Sequence, residues 1–118
     1  IQVLYKLADA LSEADKPYLA VGYLQKAVKL KPDFVDAWIF LGNISSDQQW
    51  FDRASDAYIE AAKQGSEEGI QGLRNLVYDL EKKKNWEAAE ALIVQGLSIS
   101  PKHPDLKTDL ETIRSRDK

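Results

Sequence analysis

Apolar residues recur at helical spacing almost throughout the chain. Leu4, Leu7, Ala8 and Leu11 fall at i, i+3, i+4 and i+7, and Leu24, Ala27, Val28 and Leu30 form the same kind of stripe. No stretch sustains the strict alternation that predicts a strand. Turn-forming clusters interrupt the stripes at Asp15–Pro17, Lys31–Asp33, Asp47–Gln49, Gly65–Ser66, Lys84–Asn85 and Ser100–Pro101. They divide the chain into about seven helices of roughly 12 to 15 residues each.

Several helix starts are legible. Asp33 before Phe34, with Asp36 following, reads as a loose capping box. Ser66 with Glu67 and Glu68 opens another helix, and Asn85 precedes Trp86 and Glu87. Pro104 suits the first turn of a last helix running from Asp105 to about Arg116. Leu106, Leu110 and Ile113 share one side of that helix, and Lys107, Asp109, Glu111, Thr112 and Arg114 form a polar outer face.

The stripes also repeat. A step of 34 residues carries Leu4 onto Trp38, Leu7 onto Leu41, Ala8 onto Gly42, Ala20 onto Ala54, Leu24 onto Tyr58 and Ala27 onto Ala61. A further step of 35 reaches Leu73, Leu76, Val77, Ala89, Ile93 and Gly96. Pro32 and Pro101 close the first and third copies at the same place, where the second has Ser66. The small residues at Ala8, Ala20, Ala27, Gly42, Ala54 and Ala61 let paired helices approach closely, and Trp38, Leu41 and Tyr58 fill the space between successive helices. A lone helix pair cannot bury its apolar face, so stacked neighbours must complete the core.

This pattern resembles the tetratricopeptide repeat, a 34-residue helix–turn–helix unit with W-x-x-L-G, a mid-helix Ala, a later aromatic, another Ala and a closing Pro. Trp38, Leu41 and Gly42 supply W-x-x-L-G here. The resemblance implies an all-α, right-handed α-α solenoid of three repeats plus a C-terminal capping helix in a single domain. Repeat 1 spans 1–34, repeat 2 spans 35–69, repeat 3 spans 70–103, and the capping helix spans 104–118. Three departures stand out: Val77 at a usually small position, Ser45 at a usually large one, and one extra residue in Gly65–Gly72.

Charge and composition narrow the function. With 44% hydrophobic and 30% charged residues, the 118-residue chain is ordinary for a globular domain. A net charge of -3 offers no basic stripe, so no nucleic-acid partner is expected. Lys82-Lys83-Lys84 reads as a helix C-terminus favoured by the dipole. No apolar run is long enough for membrane insertion by this segment. Without Cys, disulfides and thiolate chemistry are excluded. The chain has no Met and opens on Ile1 inside an apolar pattern, which reads as part of a longer protein with preceding repeats or another domain.

No constellation for catalysis emerges. His103 is the single His, lies at a turn, and reads as helix capping; neither a metal nor another cofactor is expected. Gly65-Ser-Glu-Glu-Gly-Ile-Gln-Gly72 is glycine-rich, but its carboxylates repel phosphate, so it reads as helix termination and a flexible turn.

The resemblance implies instead a concave inner face, lined by the first helix of each repeat, that binds a partner polypeptide. Its positions are Gln2, Tyr5, Lys6, Asp9 and Ser12; then Asp36, Ile39, Phe40, Asn43 and Asp47; then Gln71, Arg74, Asn75, Tyr78 and Lys82. The spacing of Tyr5, Asp9 and Ser12 independently places them on a stripe offset from Leu4-Leu7-Leu11. The expected groove residues are Tyr5, Asp9, Ile39, Phe40, Asn43, Arg74, Asn75 and Tyr78. Apolar anchors among amides suit an extended peptide or an amphipathic helix. Relatives that clamp a chaperone's C-terminal carboxylate use basic and amide residues where this chain has Tyr5, Asp9, Phe40, Gln71 and Asn75, so that use is not expected.

The expectation is therefore a non-enzymatic interaction scaffold with a protein or peptide partner. The alternatives are a self-associating module, giving a homo-oligomer through the Ile1 end or the inner face, and a docking arm of a larger enzyme or assembly. RNA binding like that of pentatricopeptide repeats is disfavoured by the acidic balance.

Overall fold

The computed structural model describes residues 2–116. Ile1 and the side chain of Gln2, both drawn into expectations above, lie outside what is described. Seven helices follow one another: α1 (Gln2–Glu13), α2 (Pro17–Leu30), α3 (Val35–Asp47), α4 (Phe51–Lys63), α5 (Glu67–Lys82), α6 (Trp86–Ile99) and α7 (Pro104–Arg116). Each packs on its neighbours in sequence, and α3 also touches α5 while α4 touches α6. The described residues form an all-α helical repeat solenoid with principal extents of 48 × 27 × 16 Å.

The backbone carries the repeat as faithfully as the side chains do. The turns inside successive helix pairs each place one non-glycine residue in the left-handed region: Asp15 at φ 60°, Gln49 at 66° and Lys84 at 60°. These positions stand in the same 34- and 35-residue register as the leucines. In each turn the next amide closes back on the preceding helix, as in Lys16 N to Leu11 O, Trp50 N to Ser45 O and Asn85 N to Leu80 O.

The core runs along the stack. Ala8, Ala20, Val21, Leu24, Val28, Ala37, Leu41, Ile44 and Ala57 pack together at the N-terminal end. Ala54, Tyr58, Leu73, Leu76, Val77, Leu80, Ala89, Leu92, Ile93 and Ile113 follow. A fully buried leucine such as Leu24 or Leu73 contributes about 2 kcal/mol by leaving water. The small residue expected at position 77 is not needed, because Val77 is buried in this second cluster without breaking the stack.

Several local expectations change. Asp33 does not cap α3: the N-cap is Phe34, without a side-chain cap bond. Ser66 and Asn85 do cap, accepting from Gly69 N at 3.2 Å and Ala88 N at 3.4 Å. Of the glycine-rich segment only Gly65, at φ 87°, serves the turn. Gly69 and Gly72 lie inside α5, so the expected division at 69/70 falls within its first turn. Position 69 takes glycine because α5 crosses α4 closely there: an added Cβ would lie 2.7 Å from Ala62 N.

The two ends differ. On α1, Val3 and Leu7 are 69% and 42% exposed, so Leu7 is not the core residue its stripe suggests. The equivalent Ala37 and Leu41 are buried because α2 lies against them. At the other end α7 seats Leu106 and Ile113 out of water. Its first turn is capped by His103, whose Nδ1 accepts from Leu106 N at 3.4 Å. That leaves the proton on Nε2, which donates to Glu67 Oε1 at 2.9 Å.

Candidate functional site

The first helices of the pairs, α1, α3 and α5, follow one another in register at steps of 34 and 35 residues; α3 touches α5, and Tyr5 of α1 reaches Phe40 of α3. The aromatic rings of Tyr5, Phe34 and Phe40 meet at the N-terminal end of this α1–α3–α5 face. Tyr5 lies 5.3 Å from Phe34 and 5.6 Å from Phe40 between centroids, tilted in both cases. Such pairs add about 0.5–1.5 kcal/mol beyond their buried area. Phe40 is thus half-buried on the first core cluster, while Ile39, one residue earlier, packs on the second.

A small cleft of about 170 Å³ opens here, lined by Tyr5, Asp36, Ile39, Phe40, Asn43 and Glu68. Burial, then the charges of Asp36 and Asp9, raise the pKa of the Tyr5 phenol. Asp9 lines neither this cleft nor the next.

Tyr58 of α4 reaches this face from behind. Its ring passes between Gly42 of α3 and Gly72 of α5: a Cβ on Gly42 would sit 2.6 Å from the ring, and one on Gly72 would overlap it. The hydroxyl donates to Asn43 Oδ1 at 2.6 Å, which leaves the Asn43 amide hydrogens for other acceptors. Burial, with a smaller effect of Asp47, pushes the Tyr58 pKa up to about 12. This bond was not legible in the sequence, although the pairing of Gly42 with a large Tyr58 hints at the slot.

The C-terminal half of the face is a larger cleft, of about 520 Å³, between α5 and α7. Arg74, Asn75 and Tyr78 line it, and α7 supplies the opposite wall with Asp109, Thr112 and Arg116. Arg74 is not a free donor. Its Nε and Nη2 bond both oxygens of Asp109, at 2.7 and 3.3 Å, and Nη1 stands 3.5 Å from Asp105. The Asp109 bond is the main reason its pKa is raised. Asp109 and Thr112 therefore do not belong to an outer face. Arg116 pairs with Glu81 at 3.5 Å. Tyr78 is 65% exposed, with the Lys82 ammonium 5.5 Å from its ring centre.

The structure thus brings Tyr5, Ile39, Phe40 and Asn43 together, and Arg74, Asn75 and Tyr78 together, in separate clefts. Glu68, read from the sequence as a helix-start residue, lines the first. Among the described residues no group of three or more His, Cys, Asp or Glu could hold a metal ion. No described helix is long and apolar enough to cross a membrane.

Residues 1–34 match the sequence family described as "Tetratricopeptide repeat". A comparison with curated proteins finds no match.

Proposed function

We propose that this chain, whose residues 1–34 match the tetratricopeptide repeat and whose helices continue the same register, binds a partner polypeptide along the α1–α3–α5 face, as such repeats generally mediate protein–protein interaction. Repeats of this family are typically interaction scaffolds and not enzymes. One observation carries the proposal: Tyr5, Ile39 and Phe40 form the apolar wall of a small, otherwise polar recess whose rim holds the unused amide hydrogens of Asn43. Half-buried aromatic side chains fixed by their neighbours serve as binding anchors with little ordering cost. The exposed Tyr78 gives a second anchor farther along.

The test is selection of a displayed library of random dodecapeptides on the purified protein. Selected peptides are expected to lose binding to Phe40→Ala, and to a lesser extent to Tyr78→Ala, while circular dichroism shows intact helix. Equal retention by the wild type and Phe40→Ala refutes the groove.

A second reading is self-association through the face of α1 that carries the exposed Val3 and Leu7. Exposed complementary surfaces of repeat stacks can join copies. Sedimentation velocity across a hundredfold concentration range tests it, and a monomer throughout argues against it.

A further inference from the structure

Resting on the reading of the α1–α3–α5 face as a peptide groove, we propose that the recess under Tyr5 and Phe40 receives a cationic side chain of the partner. The occupant is an extended basic peptide, with one arginine or lysine placed between the aromatic rings and the carboxylates of Asp36 and Glu68.

Charge complementarity carries this assignment. Asp36 and Glu68 line the recess directly, and neither forms an ion pair among the described residues. Asp9 is likewise unpaired, and its field reaches the Tyr5 phenol together with that of Asp36. Lys6 is the cation nearest in sequence on α1; it is exposed and pairs with none of them. Lys31 stands 5.7 Å from the Phe34 ring centre, so two positive charges face three negative ones and the neighbourhood stays acidic.

Arg74, Arg114, Arg116 and His103 each have a carboxylate partner. Asp36 and Glu68, by contrast, stand beside the Tyr5 and Phe40 rings without an ion pair among the described residues.

Ligand chemistry follows from the spacing. The acidic side chains do not converge closely enough to hold a bare metal ion among the described residues. A side-chain cation on a long aliphatic stem meets both requirements: its stem lies on Ile39 and Phe40, and its head meets Asp36 or Glu68 at the rim. Tyr5 and Phe40 offer ring faces to the same cation. An anionic C-terminus, by contrast, finds here the wrong sign of charge.

The peptides selected in the preceding experiment supply the probe. They are expected to be enriched in Arg or Lys over the starting library. One of them, labelled with fluorescein, is measured by anisotropy beside a copy in which citrulline replaces the Arg. The replacement is expected to weaken binding about tenfold, as two rim-exposed charge contacts and a ring contact allow. The double variant Asp36→Asn/Glu68→Gln is expected to weaken the Arg peptide by a similar factor and to leave the citrulline peptide unaffected. Raising salt to about 0.5 M is expected to narrow the gap between the two peptides.

Equal affinity of the two peptides, or selection of acidic ones, with binding still lost on Phe40→Ala, overturns the cationic subsite and leaves the groove standing. Failure to select any peptide, or indifference to Phe40→Ala, removes the groove and the subsite together. The double variant changes exposed side chains only, so its fold is expected to match the wild type.

Discussion

The two halves of the α1–α3–α5 face carry the same kinds of groups and use them differently. In the N-terminal half, Asp9, Asp36 and Glu68 stand unpaired around Tyr5 and Phe40. In the C-terminal half, Arg74 and Arg116 already have carboxylates, and two of these, Asp105 and Asp109, come from α7. A charge beside an aromatic ring appears in both halves, and Lys82 beside Tyr78 is also without an ion pair among the described residues; the halves differ in that the arginines of the second are held by carboxylates. A charged residue on a helical repeat becomes architecture when a later helix arrives to pair it. Tyr58 marks the divide, held between Gly42 of one half and Gly72 of the other.

The divide is where a substitution is expected to matter most. Tyr58→Ala empties the slot between two glycines that cannot fill it, and a loss of about 3–5 kcal/mol is expected from urea unfolding. Gly72→Ala does the opposite, crowding a ring that Gly42 already confines. Overpacking costs about 1–3 kcal/mol or more, against a helix-propensity gain of about 1 kcal/mol. A net loss is expected, and it is expected to shrink sharply in a Tyr58→Leu background. A stabilised Gly72→Ala protein would mean that the two halves are not braced by this ring.

A pH series sharpens the same point. Tyr58 ionises near its ordinary value of 10.0 in the unfolded chain and is pushed up to about 12 in the folded one. The unfolded state therefore loses its proton first. The stabilisation is complete below pH 10 and disappears as the pH rises to about 12, worth roughly 2–3 kcal/mol. Tyr58→Phe is expected to cost about 1 kcal/mol at neutral pH through the lost Asn43 bond, and to decline less between pH 9 and 11. Parallel urea midpoints for the two proteins over that range would remove Tyr58 as the alkaline weak point.

The halves themselves are compared by one variant in each. Phe40→Ala is expected to cost about 2 kcal/mol of peptide affinity as an anchor, and less in stability because its ring is only half-buried. Arg74→Ala is expected to cost about 1 kcal/mol or less in stability, since Arg74 and Asp109 remain 30% and 22% exposed, with peptide affinity unchanged. If Arg74→Ala weakens the peptide as much as Phe40→Ala does, the distinction between the halves fails.

The smallest effect is expected inside the core. Ser45 stands fully buried on α3 with a hydroxyl that has no partner. Removing it by Ser45→Ala relieves a desolvated polar group and is expected to leave stability within about 0.5 kcal/mol or raise it slightly. Peptide affinity is expected to stay constant, in contrast to the unpaired groups at the groove.

Most of the fold was legible before any coordinates. The seven helices and the shared register of Leu7, Leu41 and Leu76 follow from local apolar spacing, and Asp15, Gln49 and Lys84 later prove to share one turn geometry. The candidate groove was legible in outline, because the offset stripe of Tyr5 and its repeats is also a matter of spacing. Four readings needed more. Gly69 and Gly72 look like turn residues until Ala62 and Tyr58 are placed beside them. Leu7 looks like core until the absence of a covering helix among the described residues exposes it. Arg74 looks free, and Asp109 solvent-facing, until α7 folds back onto α5.

By itself, then, the sequence determined the helices, their turns and the repeat register, since these depend on neighbours three or four residues away and on a period that recurs. Tertiary structure alone decided which charges are spent and which are offered. Arg74 meets its carboxylates, and His103 meets Glu67, across 31 to 36 residues of chain. No local pattern encodes a meeting at that range, because it depends on the angle at which each helix crosses the next.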